Sequence, residues 1–107
     1  MSITSKWIYG GSSATINAKF YNDEDVLTSP TGVSYRVRCK TTNTTLRDFT
    51  TVSPSSSVDI VLTSDDTEIQ TSTNYSEMKS VDVSAFFADG QSTIESYELI
   101  TRNILLD

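Results

Sequence analysis

Val58 to Gly90 reads VDIVLTSDDTEIQTSTNYSEMKSVDVSAFFADG, and the patterning of this stretch decides the fold. Val58, Ile60 and Leu62 alternate with Asp59 and Val61, the period-two signal of a strand with one buried face. The run stops at Thr63-Ser64-Asp65-Asp66. There Ser64 or Asp65 is expected to cap a short helical turn over residues 67–70, with Glu68 placed as in a capping box, before the chain turns back at residues 71–74. Tyr75 opens the longest strand, in which Val81, Val83, Ala85 and Phe87 share one face while Asp82, Ser84 and Phe86 share the other. Asp89-Gly90 ends it with a hairpin signal, because glycine takes a positive φ at little cost.

Working outward, the same period recurs. Ala14, Ile16, Ala18 and Phe20 face inward against Thr15, Asn17, Lys19 and Tyr21, and Val33, Tyr35, Val37 and Cys39 alternate with Ser34, Arg36, Arg38 and Lys40. The expected strands span residues 3–9, 14–21, 33–40, 45–52, 58–63, 76–87 and 92–104. The strand over 45–52 is polar and Thr-rich, which suits a sheet edge, with Leu46 and Phe49 or Val52 as its anchors. In the last strand the parity of Ile94, Tyr97, Leu99 and Ile100 changes, which calls for a bulge or burial on both sides. Ile104-Leu105-Leu106 is expected to complete that strand in the core, the alternative being a contact with a neighbouring subunit.

At 107 residues there is room for one domain, burying roughly two-thirds of its chain surface. Apolar residues make up 36%, and Ser and Thr abound on the outward positions, so the chain is expected to be almost all β. Two antiparallel sheets packed face to face follow, with Ile16, Phe20, Tyr35, Val37, Ile60, Leu62, Val81, Val83, Ala85 and Leu99 in the core; a barrel is the alternative. A strand, a crossing corner and Tyr75 before the next strand resemble the tyrosine corner of immunoglobulin-like sandwiches, although an ordinary core-edge aromatic would read the same way. The expected fold is an immunoglobulin-like antiparallel β-sandwich over residues 1–107.

The formal charge of −6 and pI near 4.4 disfavour nucleic acid, whose affinity depends on cations neutralising phosphates, and disfavour an anionic membrane surface. Cys39 stands alone, so no intrachain disulfide forms, and its parity makes it a small core residue. The sequence has no apolar run long enough for a signal peptide or membrane helix, which leads to the expectation of assembly in a cytoplasm.

Catalytic chemistry is hard to place. There is no His, so neither a Ser-His-Asp nor a Cys-His arrangement has its base, and His-ligated zinc has no ligands. No glycine-rich phosphate loop is present. Asp23-Glu24-Asp25 and Asp65-Asp66-Thr67-Glu68 lack calcium-loop spacing and read as solvated turns and helix caps. A carboxylate pair can hydrolyse glycosides only where the two converge in a cleft. No enzyme activity, cofactor or metal is expected.

Partner binding is the remaining class. Trp7, Tyr9 and Tyr21 gather near the first turn in the sequence and are candidates for an aromatic contact surface, the alternative for Trp7 being a plug in the core or at the end of the sandwich. Arg36 and Arg38 belong to an outward stripe with Lys40. Cross-strand pairing with the strand carrying Asp82 explains it, and docking of an acidic partner is the alternative. Phe86 points to solvent if the strand alternates, which marks a contact surface.

The segments ATINAKFYND (14–23), VDIVLTSDDTEIQ (58–70) and VDVSAFFADGQSTIESYELITRNI (81–104) together resemble the small immunoglobulin-like proteins of tailed-bacteriophage virions, over nearly the full length. The resemblance implies a non-enzymatic virion component. A capsid decoration or auxiliary protein docking on the major capsid protein comes first. A tail or baseplate module contacting other virion proteins, or host glycans through Trp7, Tyr9 and Tyr21, is the alternative. It implies a virion location after assembly in the bacterial cytoplasm, allows a homo-oligomer, and brings no catalytic residue to these positions.

Overall fold

A computed structural model describes residues 7–106. The strands are Trp7–Tyr9 (β1), Ala14–Lys19 (β2), Gly32–Cys39 (β3), Thr44–Val52 (β4), Ser57–Leu62 (β5), Ser76–Phe86 (β6) and Ser92–Arg102 (β7), with one helical turn, Ser64–Thr67 (α1), between β5 and β6. Of the expected first strand, residues 3–6 lie outside the described residues. Five strands form one sheet in the order β1-β7-β6-β3-β4, and β2 pairs with β5 in a second. This is an all-β sandwich-like fold, in which β2 and β5 form the short sheet and β3, β6 and β7 the heart of the long one.

The sheets meet through the alternation of their strands. Ile16, Ala18, Val58, Ile60 and Leu62 from the short sheet pack on Val33, Tyr35, Val37, Val81, Val83, Ala85, Tyr97 and Leu99 from the long one, and all ten expected core residues are buried. The long sheet is not wholly antiparallel as expected, because β1 runs parallel to β7, with Trp7 opposite Ile100 and Tyr9 opposite Arg102. The Gly10-Gly11 turn allows this by sending the chain across the end of the sandwich. Gly11 has φ 89, and a Cβ on Gly10 would come within 2.7 Å of Ile69 Cγ1, so the turn sits tightly against the corner after α1.

Three local expectations are corrected. The helical turn begins earlier than the capping signal suggested: Thr63 is its N-cap, and Asp66 is the residue that reaches back, accepting from Thr63 N at 2.8 Å and Thr63 Oγ1 at 3.1 Å. The last strand needs no bulge, since β6 and β7 stay in continuous register from Phe86↔Ser92 to Ser76↔Arg102; Tyr97, Leu99 and Thr101 face the core, while Ile94 lies on the outer face and is exposed. Register shifts occur instead between β3 and β4, on either side of Val37. Phe49, of opposite parity to Leu46 and Val52, faces outward and leaves those two as the anchors of β4. The strand also stops at Arg102. Asn103 donates its side-chain amide to Ser72 O and Asn74 O, and Ile104–Leu106 forms a single exposed 3-10 turn rather than a core strand.

The corner between β5 and β6 is closed by Glu77. Tyr75 is exposed, whereas the Glu77 carboxylate is buried and accepts from Gln70 N at 2.8 Å, Thr71 N at 2.9 Å, Asn74 Nδ2 at 3.1 Å and Lys79 Nζ at 2.9 Å. Lys79 Nζ also donates to Glu68 O at 2.8 Å, so the fully buried ammonium has two partners. Burial pushes the Glu77 carboxyl up, but the donors from Gln70, Lys79, Thr71 and Asn74 outweigh it and hold the group at about 2.

Candidate functional site

The outer face of the long sheet collects most of the expected partner-binding side chains. Register sets it: β3 and β6 place Gly32 opposite Phe86, Ser34 opposite Ser84, Arg36 opposite Asp82 and Arg38 opposite Ser80. β7 adds Ile94 beside Ser84, Ser96 beside Asp82 and Glu98 beside Ser80. The cross-strand pairing expected of Arg36 is present, with Nε 2.7 Å from Asp82 Oδ2. Asp82 accepts in addition from Ser80 Oγ at 2.8 Å and Ser96 Oγ at 2.6 Å, so a carboxylate at the centre of an outward face is nonetheless nearly buried and fully bonded. Burial raises its carboxyl, and the bonds from Ser96, Arg36 and Ser80 together bring it below the usual carboxylate range.

Around this polar centre the face is cationic and apolar. The Arg36 guanidinium lies 5.1 Å from the centroid of the Phe49 ring, a cation-π contact on the β4 side. Lys40 reaches Glu98 at 3.3 Å, an exposed pair of small energetic weight. Arg38 donates to Asn43 Oδ1 and has no carboxylate partner among the described residues. Phe86 is 54% exposed and Ile94 68%, both on this face, so Phe86 points to solvent as its parity required. Asp82→Ala is expected to cost roughly 1–3 kcal/mol by leaving Ser80, Ser96 and Arg36 without their shared acceptor, read as a lowered urea midpoint at unchanged slope.

The aromatic residues do not gather as the sequence suggested. Trp7 and Tyr9 meet edge to face, with centroids 5.1 Å apart, at the end of the sandwich where β7 finishes. The Arg102 guanidinium lies 4.4 Å from the Trp7 ring and 4.9 Å from the Tyr75 ring. Trp7 is therefore not a plug in the core. It is 45% exposed and packed against a cation, because its parallel strand leaves it on the rim of the long sheet. Tyr21 is at the other end, where it bridges to Leu27 and lines a cleft with Phe87 and Ser92. The eleven residues of β7 separate the two ends by roughly 35 Å, so Trp7, Tyr9 and Tyr21 form no single surface.

Ile94, Phe49 and the cleft beside Tyr21 were missed by sequence reasoning. Ile94 had a signal: it shares the parity of Ser96 and Glu98, not that of Tyr97 and Leu99. Phe49 had one too, its parity being opposite to that of Leu46 and Val52, while the cleft depends on a loop and a hairpin remote in sequence. Among the described residues no group of three or more His, Cys, Asp or Glu side chains is placed to hold a metal ion. No family model, curated protein or solved structure matches the chain.

Proposed function

We propose that this chain is a non-catalytic structural module of a tailed-bacteriophage virion, seated on the capsid as a decoration or auxiliary protein through the outer face of its long sheet. The observation that carries the docking part of this reading is the juxtaposition on that face of exposed Phe86, Ile94 and Phe49 with Arg38, which has no carboxylate partner among the described residues, around an Asp82-centred network. Aromatic and Arg side chains are the groups that most often dominate protein interfaces, and a prebonded polar centre loses little entropy when covered. The virion assignment rests on the resemblance of the segments quoted above. A face of this size binding weakly in isolation is held firmly where many copies of the partner repeat on one shell.

Capsid shells purified without tails are expected to retain the protein on co-sedimentation, with retention falling as salt rises. Arg38→Glu and Phe86→Ser should each weaken it by about thirtyfold, the scale of an interface hot spot. Shells that fail to retain the unaltered protein would remove the capsid reading, and retention on isolated tails instead would move the module there. Light scattering should give a monomer in solution. A stable trimer or ring lost in Phe86→Ser would instead assign that face to self-assembly.

A further inference from the structure

The end of the sandwich beside Tyr21 holds a cleft of about 490 Å³ between the loop leaving β2 and the β6–β7 hairpin. We propose that it binds an alkylammonium cation, carried either by a lysine side chain of a partner or by a free polyamine. Its residues are separate from those of the docking face, so the two readings stand or fall independently.

Charge sorts the candidate ligands first. The loop wall brings Asp23 and the hairpin wall Asp89, and no Lys or Arg lines the space between them. Neither carboxylate meets a cation within ion-pair distance among the described residues, whereas Asp66, Glu77, Asp82 and Glu98 each do. Two like charges on the two walls repel an anion and favour a cation between them, in a protein whose net charge of −6 already draws cations. Among the described residues no three carboxylate, Cys or His side chains converge to hold a metal ion, so an organic cation is the class that fits.

The rest of the lining suits an ammonium head on an apolar stem. Tyr21, 52% exposed, and Phe87 supply ring surface, whose face attracts a cation and along which methylene groups lie out of water. Gln91 and Thr93 add a carbonyl and a hydroxyl oxygen to the two carboxylates, matching a group that has three donors and no acceptor. The volume lies within the range of small-molecule sites, enough for a lysine side chain and its flanking peptide groups. Both walls are set before binding: Asn22 Oδ1 accepts from Glu24 N at 2.9 Å and Val26 N at 3.0 Å, while Phe87 N donates to Gln91 O at 2.8 Å and Gly90 takes φ 87 to close the turn. A site bonded in this way loses little entropy when it is filled.

The test is titration of the ¹⁵N-labelled protein with pentylamine, spermidine and the peptide acetyl-Gly-Lys-Gly-amide, with pentanol and glutarate as neutral and anionic probes. Saturable amide shifts confined to residues 21–29 and 87–93 are expected for the cations, in the millimolar range, and none for pentanol or glutarate. Tighter binding of the peptide than of spermidine assigns the cation to a partner's lysine, and the reverse assigns it to a free polyamine. Asp23→Asn combined with Asp89→Asn should weaken binding at least about tenfold, and Tyr21→Ala about threefold, each with the native spectrum elsewhere. Asparagine at the hairpin position keeps the acceptor that Gln91 N uses, so the turn survives the change. Asp48→Asn combined with Asp59→Asn removes the same charge outside the cleft and should leave binding unchanged. No saturable shift with any of the cations, equal binding of pentanol or glutarate, or equal weakening by the two double variants would each overturn the proposal.

Discussion

Glu77→Ala is expected to destabilise the domain by about 3–5 kcal/mol, a large part of the stability of an ordinary domain. The carboxylate is the shared acceptor of Gln70 N, Thr71 N, Asn74 Nδ2 and Lys79 Nζ, and its removal strands two backbone donors and leaves a buried ammonium without its counter-charge. Lys79→Met should cost less, because Glu77 keeps its other three donors and the methionine fills the vacated volume. The order of the two urea midpoints is therefore diagnostic: a lysine variant weaker than the glutamate variant would mean that the pair, and not the corner, holds this end together.

The same group sets an acid response. Its folded pKa of about 2 lies below the ordinary 4.5, so the folded protein binds the proton less readily than the unfolded chain. The resulting stabilisation is complete above the unfolded value and disappears as pH falls from 4.5 toward 2. A separation of this size corresponds to about 3 kcal/mol. Unfolding free energies measured across that window should fall steeply in the native chain and more shallowly in Glu77→Ala, with Asp82 adding a smaller acid-side loss of the same sign.

Asp66→Ala is expected to cost about 2–4 kcal/mol. Asp66 completes the cap of α1 and takes two bonds from Arg47, at 2.9 Å from Nε and 3.1 Å from Nη2, thereby tying β4 to the corner. The bond to Asp66 raises the Arg47 guanidinium further above its usual range. Because Arg47 is partly exposed and Asp66 is not, Arg47→Ala should cost less than Asp66→Ala. Amide exchange should quicken at residues 63–67 and along β4 in both variants, and in β7 in neither.

Period-two alternation made the strands and the ten core positions legible, since one parity of each strand is buried whatever its partner. The Glu77–Lys79 pair was missed, although the two share parity with Val81, Val83 and Ala85, the parity that buries both charges. Tyr75 drew attention because an aromatic before a strand is a familiar corner, yet a carboxylate accepting backbone donors performs the same closure here. Trp7, Tyr9 and Tyr21 are close in sequence and far apart in space, because β2 runs the length of the sandwich between them. The outer-face centre was half visible, through Arg36 and Asp82. Phe49 was visible through its parity, opposite to that of Leu46 and Val52, whereas the irregular pairing of β4 is announced by no local pattern.

That irregular pairing bears on how many copies of such a domain can be crowded together. β4 is the border of the long sheet, with its far side open among the described residues. It takes up extra residues on either side of Val37, so its hydrogen-bonding groups do not present an even row. A neighbouring chain seeking to extend the sheet would find the row interrupted twice, with the charged residues Arg47 and Asp48 between the breaks. This border is thus a poor template for sheet extension, and a second copy would find no even row of donors and acceptors along it.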